Sequence, residues 1–274
     1  MPRIALGLEY DGSQFHGWQK QKDISSIQET LEKALSQVAG HSIQTICAGR
    51  TDAGVHATEQ VVHFDTEADR SEHAWVFGAN TALSHAIRVL WTHPVTDEFN
   101  ARRSATSRRY RYVIYNHPVR PALLRNNVCW YYRKLDVRRM REAAQYWVGE
   151  HDFSSFRAAT CQSRSPIRHV HSIDCIRMGD QVVIDITANA FLHHMVRNLS
   201  GVLIAIGAGK AEPEWAEQVL RARDRRSAGM TASPNGLYLV TVCYPSQFGL
   251  PKNEAGPWFL RSSTMHNPTD TKGF

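Results

Sequence analysis

The sequence predicts an α+β fold built on a mixed, mainly antiparallel sheet. Three observations carry that expectation. Residues 3–10 alternate, with Ile4, Leu6 and Leu8 on one face, as a half-buried strand does. The period then changes. Ile27, Leu31, Ala34, Leu35 and Val38 form a helical stripe, opened by the capping-box pair Ser26 and Glu29 and ended by Gly40. A second set of strands and helices follows after residue 105, so the two halves look alike in order, each mixing strands with helices that cover one face.

The other elements rest on the same signals. Strands are expected near 43–48 and 60–65, with the turn GRTDAGVH between them, then a helix over 72–84 and a strand over 87–94. Segment 99–109 is basic and polar and reads as the connection between halves. A strand follows over 109–115. Further strands and helices are expected over 128–132, 137–148, 182–188, 191–206, 213–221 and 237–244, and Met195, Leu199, Val202, Leu203 and Ile206 share a helical face. This divides the chain into an N-terminal half (1–104), a C-terminal half (105–246) and an extended tail (247–274) rich in Pro, Gly, Ser and Asn.

Composition narrows the function classes. With 274 residues, 42% hydrophobic and 21% charged, the chain is long and apolar enough for a sizeable core, which excludes a mainly disordered protein. No stretch reaches the roughly 18 consecutive apolar residues of a membrane span. The N-terminus has no basic segment followed by an apolar run, so no secretory signal is expected. The five cysteines are odd in number and contain no C-x-x-C pair, which speaks against a disulfide framework or zinc knuckle and for the reducing cytoplasm. The net charge is +6, and 25 of the 32 cations are Arg. Arg presents a planar fork to phosphate and stacks on bases, so the balance leans toward an anionic polymer as partner.

Three segments carry candidate chemistry. In Gly49-Arg50-Thr51-Asp52-Ala53-Gly54-Val55-His56-Ala57, two glycines bracket a single carboxylate, and Arg50 lies two residues from Asp52. A nearby cation keeps a carboxylate ionised, and a fixed ionised carboxylate acts as nucleophile or base. The alternative is a surface turn in which Asp52 caps backbone N–H groups. In Arg102–Tyr112, five arginines accompany Tyr110 and Tyr112, which share a strand face. Arg tracks phosphates and Tyr stacks on bases, although a solvated basic loop leading into a core strand fits equally. In Phe191–Asn198, Arg197 sits near the start of an apolar helix and needs a partner such as Asp52, unless it faces solvent. His193 and His194 are adjacent, which does not place two ligands on one helix face, and no metal set is expected. Gly207-Ala208-Gly209-Lys210 fails as a phosphate loop, because Ile204 and Ala211 occupy the positions that need Gly and Ser or Thr.

Taken together, the motifs YDGSQFHGWQ, GRTDAGVHA, FNARRSA, RRYRY, DFSSF, CQSR, FLHHMVRN and GLYL, in this order from Arg3 to Tyr244, resemble the bacterial tRNA pseudouridine synthases of the TruA type. Glu59 is a small departure, outside the expected catalytic pair. The resemblance implies two ferredoxin-like halves sharing one sheet, with a catalytic cleft between them. It implies conversion of uridine to pseudouridine at positions 38, 39 and 40 of the tRNA anticodon stem-loop, by a homodimer that needs no cofactor and no metal. It also implies residue roles. Asp52 is the catalytic aspartate and Arg197 the basic residue paired with it. Tyr110 stacks on the target uracil, Arg50 serves base flipping, and Leu237 walls the pocket. Phe99, Asn100, Ala101, Arg102 and Arg103 contact tRNA, as do Thr160, Cys161, Gln162, Ser163 and Arg164, and Arg70 is a further candidate. Alternatives are a pseudouridine synthase acting on another RNA, a non-catalytic RNA-binding module and a metal-dependent nuclease. The last would need clustered carboxylates, and Asp52 has no acidic neighbour before Glu59.

Overall fold

The computed structural model describes residues 1–251 and 256–260. The first set of elements is β1 (Arg3–Tyr10), α1 (Ile27–Ala39), β2 (Ile46–Cys47), β3 (His56–Asp65), α2 (Glu72–Ala82) and β4 (Ile87–Val95). The second begins with β5 (Ser107–Asn116), β6 (Cys129–Tyr131), α3 (Val137–Gln145), β7 (Gly149–Asp152) and β8 (Ile167–Met178). It continues with β9 (Gln181–Ala188), α4 (Met195–Gly207), α5 (Trp215–Ala222) and β10 (Leu237–Cys243). Helix α1 starts as the capping box requires: the Ser26 hydroxyl accepts the Glu29 N–H, and Gly40 closes the helix at φ 77°.

The described strands form one mixed sheet in the order β4-β1-β3-β10-β5-β9-β8-β7, with β2 added on β3 and β6 on β5. The first set thus runs β4-β1-β3-β2. The second, without the short β6 and β7, runs β10-β5-β9-β8. In both, the spatial order is fourth, first, third, second, which is the ferredoxin-like arrangement the resemblance implies. Pairing is antiparallel except for β10 on β3 and β5 on β6. The β3–β10 pairing, Tyr238 opposite His56 and Leu239 opposite Ala57, joins the two sets.

Helices cover one face. Strand residues Tyr110, Tyr112, Ile184, Leu237 and Leu239 share a buried cluster there with Leu31 of α1, Met140 of α3 and Leu199 of α4. Each large aliphatic side chain buried in this way stabilises the fold by about 1.5–3 kcal/mol. The alternate residues Val113, Val183, Tyr238 and Val240 point to the other face, where they meet Val128 and Leu260. Leu260 belongs to the expected tail; residues 252–255 and 261–274 of that tail lie outside the described residues. Among the described residues, no helix is long and apolar enough to cross a membrane.

Several elements differ from the sequence expectation. The strand expected over 43–48 shrinks to Ile46–Cys47. Strands β7 and β8 were not expected. In β8 a bulge between Val170 and Ser172 breaks the alternation, so Val170 and then Ile173 and Cys175 face inward while His169, His171 and Ser172 are exposed. The helix expected from Phe191 starts only at Met195, because His194 takes the left-handed conformation at φ 62°. That delay shapes the site.

Candidate functional site

Strand β3 gives its edge to β2 at Val62 and His63 and to β10 at His56 and Ala57. The connection 48–55 therefore emerges over the seam between the two strand sets, and Asp52 stands at its tip. The segment 11–18 cradles this turn. Trp18 N–H donates to the Thr51 carbonyl, Gly54 N–H to the Phe15 carbonyl, and Tyr10 OH lies 2.8 Å from the Thr51 hydroxyl. Gly12 packs so closely that a Cβ there would fall 1.9 Å from the Val55 carbonyl oxygen. The turn is thus held by its neighbours.

The second strand set supplies the groups that meet Asp52. Arg197 Nη1 is 3.3 Å from Oδ2, His193 Nε2 is 3.2 Å from Oδ1, and His194 Nε2 is 3.4 Å from Oδ2. Arg197 is itself aimed: its Nε donates to the Ala232 carbonyl at 2.9 Å. Burial pushes the Asp52 carboxyl up, but the His193 hydrogen bond and the charges of both histidines and Arg197 outweigh it, and the net shift is down. The two imidazoles move apart: bonding to Asp52 raises His193, and burial lowers His194.

Sequence reasoning missed these histidines. Adjacent residues on a regular helix diverge by about 100°, yet both precede the first turn of α4, and the positive φ of His194 swings the two rings onto one carboxylate. Asp52, His193 and His194 bring their donor atoms within 4.8 Å of one another, so the spacing argument against such a cluster fails. Arg197 contacts the same oxygen as His194, and a guanidinium there disfavours a metal cation.

Tyr110 is 7% exposed and meets Phe191 edge-on at 4.9 Å. Its hydroxyl lies 3.7 Å from where a Cβ on Gly49 would stand, and burial pushes the phenol upward. Leu237 opens β10, paired with Tyr112 on the same face. Arg50, Asn100, Arg102 and Arg103 line a cleft of about 320 Å³ beside Trp18 and Cys47. Arg50 also reaches Gln162 across the seam at 3.3 Å. Ser163 and Arg164 follow on the same loop, with Arg164 exposed. Arg70 lies outside this cleft and donates to the Val38 carbonyl of α1.

Two expected RNA contacts need correction. Phe99 and Ala101 are fully buried; the Phe99 ring packs against His63, Tyr244 and Phe248. A side chain without exposed surface touches no external ligand, so Asn100, Arg102 and Arg103 alone remain from that stretch. The arginine run also divides. Arg108 is buried and donates to the carbonyls of Ala48, Arg102, Ala105 and Asn189. Arg109 and Arg111 pair with Asp185.

The comparisons with known proteins identify the family. The sequence model of the tRNA pseudouridine synthase family matches residues 8–102 and 143–245. A tRNA pseudouridine synthase A of Coxiella burnetii is 58% identical over 260 residues, 95% of this chain and 100% of the relative. Those of Vibrio cholerae and Legionella pneumophila are 57% and 58% identical over 258 residues, 94% of this chain and 98% of each relative. Matching across nearly its full length, with Asp52 sheltered at the seam of two ferredoxin-like strand sets, the chain belongs to the tRNA pseudouridine synthases, a family of isomerases.

Proposed function

We propose that this chain isomerises uridine to pseudouridine at positions 38, 39 and 40 of the tRNA anticodon stem-loop, with Asp52 as the essential group. The observation that carries the reading is the carboxylate of Asp52, sheltered at the seam and held ionised by His193 and Arg197 beside the ring of Tyr110. The reaction breaks the N1–C1′ bond, turns the uracil and forms C5–C1′. C5 loses its proton and N1 gains one, so nothing is oxidised or hydrolysed, and the chemistry calls for no cofactor. The target base leaves its stack at a cost of a few kcal/mol, which binding elsewhere offsets. Arg50 takes the vacated place, Tyr110 stacks on the flipped ring, and Leu237 walls the pocket. Asp52 attacks C1′ or C6, or takes a proton from the 2′ carbon; Arg197 orients it.

The exposed Arg50, Arg102, Arg103 and Arg164, with Asn100, Gln162 and Ser163, fit phosphate and sugar contacts on both sides of the seam. The protein acts in the cytoplasm as a homodimer whose two subunits hold one tRNA; light scattering at twice 31.0 kDa is the expected result.

The test uses tRNA tritiated at C5 of its anticodon-arm uridines, incubated with the protein in EDTA. Release of tritium to water by the wild type and none by Asp52→Ala, with tRNA binding intact, is expected. Equal release by the variant overturns the role of Asp52. Loss of wild-type release in EDTA favours a metal-dependent reaction. Replacing Arg102 and Arg103 by Ala weakens binding and lowers the slope of log K against log salt by about 1 for each phosphate no longer neutralised.

A further inference from the structure

Loop 158–162 holds His193 from three sides. Ala158 N–H donates to the His193 carbonyl at 3.0 Å, His193 N–H donates to the Cys161 sulfur at 3.4 Å, and the Thr160 hydroxyl lies 3.1 Å from His193 Nδ1. The other ring nitrogen, Nε2, faces Asp52 Oδ1 at 3.2 Å. Two residues on, Gln162 accepts from Arg50 at 3.3 Å. Arg157 ties the loop down by donating to the carbonyls of Cys161 and Ser163. One short loop therefore touches both the arginine beside Asp52 and the histidine on it. Thr160 itself is exposed.

We propose that Thr160 and His193 are positioning residues that link loop 158–162 to the Asp52 carboxylate, so that RNA seated on the loop fixes the carboxylate for reaction. The inference rests on the proposed function and adds to it a role for Thr160 distinct from RNA contact. A carboxylate accepts only, so Nε2 carries a proton toward Asp52. Nδ1 then accepts from the Thr160 hydroxyl when the ring is neutral and donates to it when the ring is charged. A hydroxyl serves both states. The bond sets the rotation of the imidazole and with it the direction from which Asp52 is held, as outer partners orient the groups that do chemistry. A Thr160 that only touched RNA would have no need to face Nδ1.

The experiment separates chemistry from binding. Single-turnover tritium release and filter-binding Kd are measured for wild type, Thr160→Val, Thr160→Ser, His193→Gln and the Thr160→Val/His193→Gln double variant. Thr160→Val, which keeps shape and loses the hydroxyl, is expected to slow release about tenfold with Kd within about twofold, the effect of removing one hydrogen bond. Thr160→Ser is expected to restore the rate. His193→Gln keeps an N–H near the Nε2 position and loses the ring nitrogen that faces Thr160, so adding Thr160→Val to it is expected to slow release no further. Thr160→Val with a wild-type rate and a weakened Kd overturns the proposal and leaves Thr160 as an RNA contact. Equal losses in Thr160→Val and Thr160→Ser, or additive losses in the double variant, overturn it as well. The wild type is the control: failure of the wild type to release tritium refutes the proposed function, whereas equal rates beside an active wild type refute the link alone.

Discussion

Two aspartates of this protein meet histidine, with opposite exposure. Asp11 Oδ1 lies 3.1 Å from His56 Nδ1; the His56 side chain is 1% exposed and the Asp11 side chain 43%. At Asp52 the carboxylate is the sheltered partner, at 19%, and His193 and His194 are the open ones, at 38% and 30%. His56 is occupied all round. Gly12 N–H donates to Nδ1, Nε2 is 3.0 Å from the carbonyls of Asn126 and Asn235, and the ring stacks on Tyr238 at 4.8 Å. That imidazole fastens four segments and has no capacity left for a ligand. At the seam the order is reversed: Arg197 and two more exposed histidines surround a carboxylate that keeps part of its own surface open. Residue types alone do not separate a fastening from a reactive group; the direction of burial does.

The contrast can be broken at either end. The largest expected effect is on turnover. Asp52→Asn should lower single-turnover isomerisation by about 10⁴-fold or more, while calorimetry shows a stability change of only about 1 kcal/mol, since solvent reaches every member of that cluster. A comparable loss of stability would make Asp52 a fastening like His56. Next, His56→Ala should cost about 3 kcal/mol of folding free energy, through orphaned polar groups and a cavity. Urea unfolding measures this, and activity should fall only as folded protein is lost.

A smaller effect is the splitting of the two open histidines. NMR titration should place the His193 midpoint above 6.5 and that of His194 below it. In Asp52→Asn the His193 midpoint should fall toward 6.5. The sign for stability follows: the pairing of His193 with Asp52 contributes fully below pH 6.5, and that contribution disappears as pH rises through the raised value. The smallest effect is at Asp11, whose carboxyl is held below the usual 3.8, first by its contact with the His56 ring. Its contribution is present above pH 3.8 and is lost as pH falls through the lowered value. Asp11→Asn should therefore lower the neutral region of a stability–pH curve slightly and flatten its acid limb, so that variant and wild type converge at low pH.

Much of this was legible in the sequence, for local reasons. The stripe and caps of α1 and the alternation of β1 are written in neighbouring residues, and the observed elements keep nearly the expected bounds. The pairing of Arg197 with Asp52 was reachable because an arginine near the start of an apolar helix needs an acid. What escaped depends on backbone irregularity or on distant partners. The bulge in β8 hid a strand of 12 residues. The left-handed His194 hid the convergence of two rings. Phe99 and Ala101 sit in a polar-looking stretch but fill the core between His63 and Tyr244, and Arg108 looks like part of a basic run but satisfies four carbonyls. No local pattern announces such long-range obligations.

The place of β10 in the sheet has a consequence for synthesis. This strand, residues 237–243, lies between β3 and β5, which are made far earlier. Until it leaves the ribosome, both of those strands keep a stretch of unpaired backbone edge, and the seam that carries Asp52 does not exist. Synthesis must therefore pass residue 243 before the chain has a working site, and its nascent form shows the open edges that invite association with other chains. Closure by so late a strand also demands contacts between residues far apart in sequence, which slows folding. A nascent chain halted at residue 236 should thus be both inactive and a client for chaperones.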